Sequence, residues 1–396
     1  MGSHPFTPRI DEREMRGQSI AMNFGWVRRV DDTTYMVHSQ RLDREYQVEQ
    51  TETGWACECP DSQFRFLKCK HVWAVEISWT LRKRVEQSVV IQPVTASACP
   101  KCGSASLLKK GLRRNKHIAL QKWLCRDCGH WFTLNLGFEG MRATPEIITN
   151  AMQIYFAGAS FRGVRDFLKL RGVKFSQQSV WNWVNRYTRL MEGYLESIRP
   201  QLGDTWRTDE MYLKFKGNMK FLFAMMDDQT RFRIAQQVAE HKGIADIRPM
   251  FREAERRAGK RPKVLISDGA QNFEVATRKE WYSMSKERRV THVRDIRLEG
   301  QVHNNKMERQ NGEWRDRERV MRSLKREDSP VLTGMQIHHN FIRPHMGLQG
   351  RTPAEAAGVR VEGENKWLTI IQNAAKLRNA KSISEPLSPL IPDEKE

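Results

Sequence analysis

Thr205-Trp206-Arg207-Thr208-Asp209-Glu210-Met211-Tyr212-Leu213-Lys214-Phe215 decides how this chain is read. Apolar and polar residues alternate along it, the period of a half-buried strand, and an aspartate sits at its middle. Two more strands follow, at 220–226 and 232–238, with Asp227-Asp228-Gln229-Thr230 as the hairpin turn between them. A helix is expected from about 244 to 259. The short apolar strand Val264-Leu265-Ile266-Ser267 then ends at Asp268, followed at once by Gly269. A helix from Asn272, a short strand near 290–293 and a charged helix over about 303–326, carrying Asn304-Asn305-Lys306-Met307-Glu308-Arg309, complete the run.

The order β-β-β-α-β-α-β-α is that of an RNase H-like fold, a mixed sheet with helices on both faces. In that topology the first and fourth strands are neighbours. Asp209 and Asp268 are therefore expected side by side, with the late helix laying Glu308 across them. Carboxylates from two strands and a helix can converge on a pair of Mg²⁺ ions, one activating a nucleophilic oxygen and the other stabilising the leaving one. With 47 acidic residues some such triple is inevitable, so placement carries the weight. Asp227 and Asp228 suit a turn, and strand alternation sends Glu210 to the opposite side from Asp209. Glu313 and Glu318 compete with Glu308, but Arg315, Arg319, Arg322 and Arg326 lie 7, 11, 14 and 18 residues beyond Glu308, on its helical face. Such a row suits a phosphate backbone entering the site; the alternative is an ordinary charged surface helix. Met307, Trp314, Met321 and Leu324 make a separate apolar stripe.

Working outward, 396 residues allow several domains. The 67 Lys and Arg outnumber the 47 Asp and Glu to give a formal net charge of +20, which points to a polyanionic partner, most simply nucleic acid. No apolar run is long enough to span a membrane, and the start, Met1-Gly2-Ser3-His4, has no apolar signal core, so a cytoplasmic, nucleoid-associated protein is expected. All seven cysteines and one histidine form two sets of four: Cys57, Cys59, Cys69 and His71, and Cys99, Cys102, Cys125 and Cys128. Tetrahedral zinc takes four such ligands, and close pairs supply two from one turn. Two closed, structural Zn²⁺ sites are expected; for the first set the alternative is a group of buried thiols.

The first set lies in a strand–strand–helix unit that resembles the SWIM zinc finger, assigned to residues 22–90 after an N-terminal segment, 1–21. The second resembles a zinc ribbon, 95–137, whose basic stretch carries Lys109, Lys110, Arg113 and Arg114 and is expected to touch phosphate rather than merely water. Between the two lies an expected linker. Residues 143–198 hold three short helices with capping residues Thr144, Ser160 and Ser176, a helix-turn-helix or a plain three-helix bundle. The third offers Gln177, Gln178, Asn182 and Arg186 away from its apolar side, as base-reading side chains would be. Trp181 and Trp183 are expected to pack.

The segments 208–217, 267–269 and 304–309, with His339-Asn340-Phe341-Ile342-Arg343-Pro344-His345 and Arg351-Thr352-Pro353-Ala354-Glu355-Ala356-Ala357-Gly358, resemble the DDE transposases of prokaryotic insertion sequences, which have an integrase-type core. The resemblance covers roughly residues 95–358, with the core at 203–358 and a C-terminal helix and tail at 359–396. It departs in a long interval between Asp268 and Glu308 and in the SWIM-like front end. It implies an RNase H-like mixed-sheet catalytic core behind zinc modules, in a multidomain chain that mixes α+β and α/β parts. It implies Asp209, Asp268 and Glu308 holding two Mg²⁺ (or Mn²⁺) ions, cleavage at transposon ends and strand transfer into target DNA. Arg315, Arg319 and Asn305 would contact the DNA backbone, His345 would support the site, and at least a dimer would pair two ends. Two alternatives stand: a non-catalytic DNA-binding regulator derived from such an enzyme, and an RNase H-like nuclease or resolvase that cuts without joining.

Overall fold

The computed structural model describes residues 12–384 apart from 24–25, 32, 41, 43, 52–53, 66, 87–88, 115–118, 134, 269, 286–288, 295–303, 322–323 and 328. The chain forms two compact units. One comprises Met1–Val89, Arg199–Asp328 and His338–Arg360, the other Val90–Ile198, Ser329–Ile337 and Val361–Glu396.

The first unit begins with helix α1 (Glu12–Met22), then four antiparallel strands in sequence order, β1 (Val27–Arg29), β2 (Thr34–His38), β3 (Glu45–Thr51) and β4 (Gly54–Cys57). Tyr35 and Val37 on β2 and Tyr46 and Val48 on β3 alternate into one buried face. Against it pack Val72, Ala74 and Val75 of α3 (Lys70–Glu86), which follows the short α2 (Pro60–Arg65). The α1 helix, which no sequence signal announced, lies against α3. A Cβ on Gly17 would come 2.4 Å from the Cβ of Trp73, so only glycine permits this approach.

The expected linker contains a strand, β5 (Val89–Ile91). The second unit then adds a three-stranded antiparallel sheet, β6 (Leu107–Arg114), β7 (Ala119–Cys125) and β8 (Trp131–Thr133). Lys109, Lys110, Arg113 and Arg114 lie on strand β6, whose pairing with β7 shifts register between Lys109 and Leu112. Helices α4 (Pro145–Phe156), α5 (Phe161–Leu170) and α6 (Gln177–Leu195) follow, each capped as expected: Thr144, Ser160 and Ser176 accept from the backbone N–H groups of Ile147, Gly163 and Ser179.

The first unit resumes with β9 (Thr205–Phe215), β10 (Asn218–Asp227) and β11 (Arg233–Ala239), then α7 (Ile244–Ala258), β12 (Val264–Ser267), α8 (Gln271–Glu280), β13 (Thr291–Arg294) and α9 (Asn305–Met321). The sheet order is β11-β10-β9-β12-β13, third-second-first-fourth-fifth, the RNase H-like arrangement. Leu222 to Met226 on β10 are buried on both sides, as an interior strand requires. Strand β12 runs parallel to β9 with Val264, Leu265 and Ile266 opposite Thr205, Trp206 and Arg207, and continuing that register sets Asp268 level with Asp209.

Helix α9 is shorter than the charge pattern suggested. Leu324 N–H donates to the Lys214 carbonyl and the Leu324 carbonyl accepts from Lys216 N–H, an isolated bridge at the end of β9, so the chain has left the helix by then. Arg326 is therefore not on the helical face of Glu308, and Arg322 lies outside the described residues.

Helix α10 (Pro330–Ile337) belongs to the second unit, where the closest approach is at Gly334: a Cβ there would meet the Phe156 ring at 2.2 Å. A π-helical turn, His338–Ile342, returns to the first unit and pins β11: Asn340 Oδ1 accepts from Arg233 N–H and its Nδ2 donates to the Arg233 carbonyl, 2.9 and 3.0 Å. Then come α11 (Pro353–Ala356), with a Thr352–Glu355 capping box, β14 (Val359–Val361) and α12 (Lys366–Ser384). Trp367 of α12 donates to Gln153 of α4.

Candidate active site

Strand pairing alone brings two acids together. Asp209, Glu210 and Asp268 each offer a carboxylate oxygen, and these oxygens all lie within 4.8 Å of one another. Asp209 is 8% exposed and anchored twice: Asn311 Nδ2 on α9 donates to Oδ2 at 2.8 Å, and Glu210 N–H donates to Oδ1 at 2.9 Å. Burial first, then the neighbouring Asp268 charge, pushes the Asp209 carboxyl up to about 7. Asp268 is exposed, its Oδ1 accepting from Ala270 N–H at 3.2 Å.

Glu210 corrects the expectation from strand alternation. Its carboxylate does not stay on the far side of the sheet but reaches the two aspartates, held by an ion pair from Lys242 Nζ on the segment between β11 and α7. A glutamate side chain is long enough to be drawn round the strand by such a partner.

Glu308 lies on the first turn of α9, is exposed, and is not one of the three converging acids. Its neighbours on the helix do meet β9. Asn304 Nδ2 donates to the Thr208 carbonyl at 3.4 Å, and Asn311 reaches Asp209. Residues 304, 308 and 311 share a helical face, so the structure presents Glu308 on the side of α9 that touches the Asp209 strand without bringing its carboxylate into the cluster.

The α9 start is fixed from behind. Lys306 Nζ pairs with Asp228 Oδ1 at 2.8 Å, Arg207 pairs with the same carboxylate, and Gln18 of α1 donates to its other oxygen. Burial alone would raise Asp228, but the Lys306 and Arg207 charges hold it well below the usual carboxylate range. Asp227 is equally structural, accepting from Gly203 N–H, Thr230 N–H and the Thr230 hydroxyl. Further along, fully buried Arg233 lies over the Trp314 ring at 4.1 Å and donates to Gln310 at 3.1 Å, while buried His339 contacts Gln310 Nε2 at 2.9 Å. His345 packs edge-on against His339, with ring centroids 4.6 Å apart.

The carboxylate cluster fits a hard divalent cation. Its donors are oxygen only, Asp209 and Asp268 repel each other, and the buried Oε2 of Glu210 has no hydrogen-bond partner among the described residues. The cysteine sets fit zinc. Cys57 Sγ lies 3.8 Å from His71 Nδ1, and the pairs Cys99–Cys128 and Cys102–Cys125 have Sγ–Sγ distances of 3.6 Å. A tetrahedron with zinc–sulfur bonds of about 2.3 Å has edges of ~3.8 Å. Cys57, Cys59, Cys69 and His71 are all buried.

The candidate nucleic-acid residues are on the surface. Gln177, Gln178, Asn182 and Arg186 are exposed on α6, where Gln178 donates to Asn182 at 3.1 Å. They adjoin a groove of about 740 Å³ lined by Arg142, Lys174, Trp181, Asn182 and Arg186. Trp183 packs as expected, but Trp181 is exposed, because the buried face of α6 runs through Val180, Trp183, Val184 and Tyr187 and leaves position 181 outside it. Lys109, Lys110, Arg113 and Arg114 are exposed on β6, and Asn305, Arg315 and Arg319 on α9. No helix among the described residues is long and apolar enough to cross a membrane.

Residues 203–345 match the family model of a DDE domain, and residues 46–79 that of the SWIM zinc finger. A stretch of 146 residues is 28% identical to the transposase for insertion sequence element IS257 in transposon Tn4003 of Staphylococcus aureus and 27% identical to the transposase for insertion sequence-like element IS431mec of S. aureus strain Mu50. It covers 36% of this chain and 63% of each relative, so the match spans less than two thirds of their length. Among solved structures, the trimeric form of the HTLV-2 integrase catalytic core domain in complex with magnesium is 16% identical, covering 40% of this chain and 99% of that one at a TM-score of 0.29. A simian T-cell lymphotropic virus intasome in complex with PP2A regulatory subunit B56 gamma is 14% identical over 62% of this chain and 78% of that one, also at 0.29. The chain carries a DDE domain with an RNase H-like core, similar to those of insertion-sequence transposases, behind a SWIM zinc finger.

Proposed function

We propose that this protein is a DNA transposase that binds the ends of a mobile element, cleaves a strand there and transfers the freed 3′-OH into target DNA. The observation that carries this reading is the convergence of Asp209, on β9, and Asp268, just past the end of its parallel neighbour β12, inside a DDE domain. Asp209, Asp268 and Glu308 would hold two Mg²⁺ (or Mn²⁺) ions. When bound, such ions lower the pKa of the attacking water or hydroxyl and neutralise the leaving oxygen.

The residues of the chain do the rest. Asn311 donates to Asp209 Oδ2 and so orients the Asp209 carboxylate. The Lys306–Asp228–Arg207 knot fixes the first turn of α9, which carries Glu308, the residue that would be the third ligand of the ions. No side chain is needed as a covalent nucleophile. Asn305, Arg315, Arg319 and Arg322 would position the phosphate backbone. We assign residues 143–198 to a helix-turn-helix, with Gln177, Gln178, Asn182 and Arg186 reading the element end. Residues 95–137 form a zinc ribbon whose Lys109, Lys110, Arg113 and Arg114 meet phosphate, and residues 22–90 the SWIM module, each folded around one Zn²⁺. The catalytic core spans 203–358, with a C-terminal helix and tail over 359–396. Joining two ends requires at least a dimer, acting on the nucleoid in the cytoplasm.

The test is a product assay with duplex DNA carrying an element end and Mg²⁺ or Mn²⁺. Wild type yields nicked and joined strands, and Asp268→Asn yields neither. Equal, salt-sensitive binding by both with no cutting by either indicates a DNA-binding regulator; cutting without joined product indicates a nuclease or resolvase.

A further inference from the structure

Glu210 has no place in a D…D…E pattern, yet it is the acid that the structure brings to the two aspartates. Its side chain is 8% exposed, while that of its partner Lys242 is 41% exposed. Lys242 takes only one carboxylate oxygen, Oε1. The other, Oε2, is buried and has no hydrogen-bond partner among the described residues. A buried acceptor left bare is costly unless something else occupies it, and the Asp209 and Asp268 carboxylates beside Glu210 offer acceptors. Three carboxylates within 4.8 Å need positive charge. In this structure Lys242 supplies it.

Lys242 is placed for that task. Its Nζ lies 5.0 and 5.4 Å from the ring centroids of Phe221 and Tyr212, and its carbonyl accepts from Asn272 Nδ2, in the first turn of the helix that follows Asp268, at 3.2 Å. An ordinary surface ion pair would leave both partners in water. Here the acid is enclosed and the base reaches in over aromatic faces.

We propose that Glu210 is a fourth carboxylate of the divalent-cation site and that Lys242 is the cation standing in for a metal ion on it. The inference rests on the Asp209–Asp268 site proposed above. Metal loading then releases the Lys242 ammonium, beside exposed Tyr212, to meet the phosphate of an incoming strand. No covalent step is involved; one cation replaces another on the same carboxylate.

The test is Mn²⁺ binding to the full chain, read by electron paramagnetic resonance, in wild type, Asp268→Asn, Glu210→Gln and Lys242→Met, with circular dichroism to check folding. Glu210→Gln is expected to weaken Mn²⁺ binding about 10-fold or more. Lys242→Met, which removes a competing charge and leaves Glu210 intact, is expected to tighten it severalfold. Wild-type affinity in Glu210→Gln, alongside lost affinity in Asp268→Asn, overturns the role of Glu210 and leaves the aspartate site standing. Weakened binding in Lys242→Met overturns the stand-in role and makes the pair a scaffold. Unchanged binding in Asp268→Asn removes the metal-site reading itself, and this inference with it.

Discussion

Two kinds of ligand cluster sit in the same compact unit and are built in opposite ways. The sulfur cluster is closed: Cys57, Cys59, Cys69 and His71 are all buried, four donors fill a tetrahedron, and strands β3 and β4 and helix α3 wrap round them. The oxygen cluster is open: Asp209 is buried but Asp268 is exposed, the third acid in contact is Glu210, and Glu308 waits exposed on the adjoining helix face. A closed set satisfies the metal and leaves no place for a substrate, so its energy goes into the fold. An open set of like charges is a liability to the fold and an opportunity for chemistry. The Asp209 carboxyl raised to about 7 records that conflict.

The difference can be broken or sharpened by mutation. The largest effect is expected at the open site. Asp268→Asn should leave the circular dichroism spectrum unchanged while strand cleavage falls about 10³-fold or more, since several kcal/mol of transition-state stabilisation goes with the ions. The closed site should behave in reverse. Cys69→Ser is expected to release one zinc equivalent per chain and to unfold the module at 46–79, seen as new protease cleavage there, because structural zinc supplies on the order of 10 kcal/mol to so small a core. Zinc loss without any loss of protection would contradict this.

Support residues should come next. Asn311→Ala removes the donor that orients Asp209 and is expected to weaken divalent-ion affinity about 10–100-fold, measured by calorimetry. The pH dependence of that affinity should follow Asp209. Its folded pKa is raised above its unfolded value, so the protonated form favours the metal-free fold at low pH, and that contribution is lost as pH rises through about 7. Ion affinity should therefore climb with pH and level off above about 7; a plateau already reached at pH 5 would deny the shift. The smallest change is expected at Arg315→Ala, an exposed residue on α9: a modest, sequence-independent loss of DNA affinity with the salt slope reduced by about 1.

Much of this was legible in the residues themselves. Helix caps at Thr144, Ser160, Ser176 and Thr352 are local chemistry, and each appears where the hydroxyl stands. The alternating run at 205–215 and the short strand before Asp268 are periodic, and the RNase H-like strand order follows from counting elements. What stayed hidden depends on partners distant in sequence. Glu210 leaves the far side of its strand because Lys242, 32 residues on, draws it back. Helix α9 has ended by Leu324, which pairs with the end of β9, and no charge pattern could announce that. Helix α1 is polar and unremarkable alone; it exists against α3 because Gly17 lets Trp73 approach. Asn311 could have been suspected, since it falls three residues after Glu308 on the same face, and Lys306 could not, because its partner Asp228 reads as a turn residue.

The central claim is that the carboxylates of β9 and β12 form the site of divalent-ion chemistry. Anomalous scattering from crystals grown with Mn²⁺ tests it directly. The expected result is a manganese peak between Asp209 and Asp268, distinct from zinc peaks at the two cysteine sets. Zinc at the cysteines with no manganese at the aspartates, under conditions in which the protein cuts DNA, would contradict it.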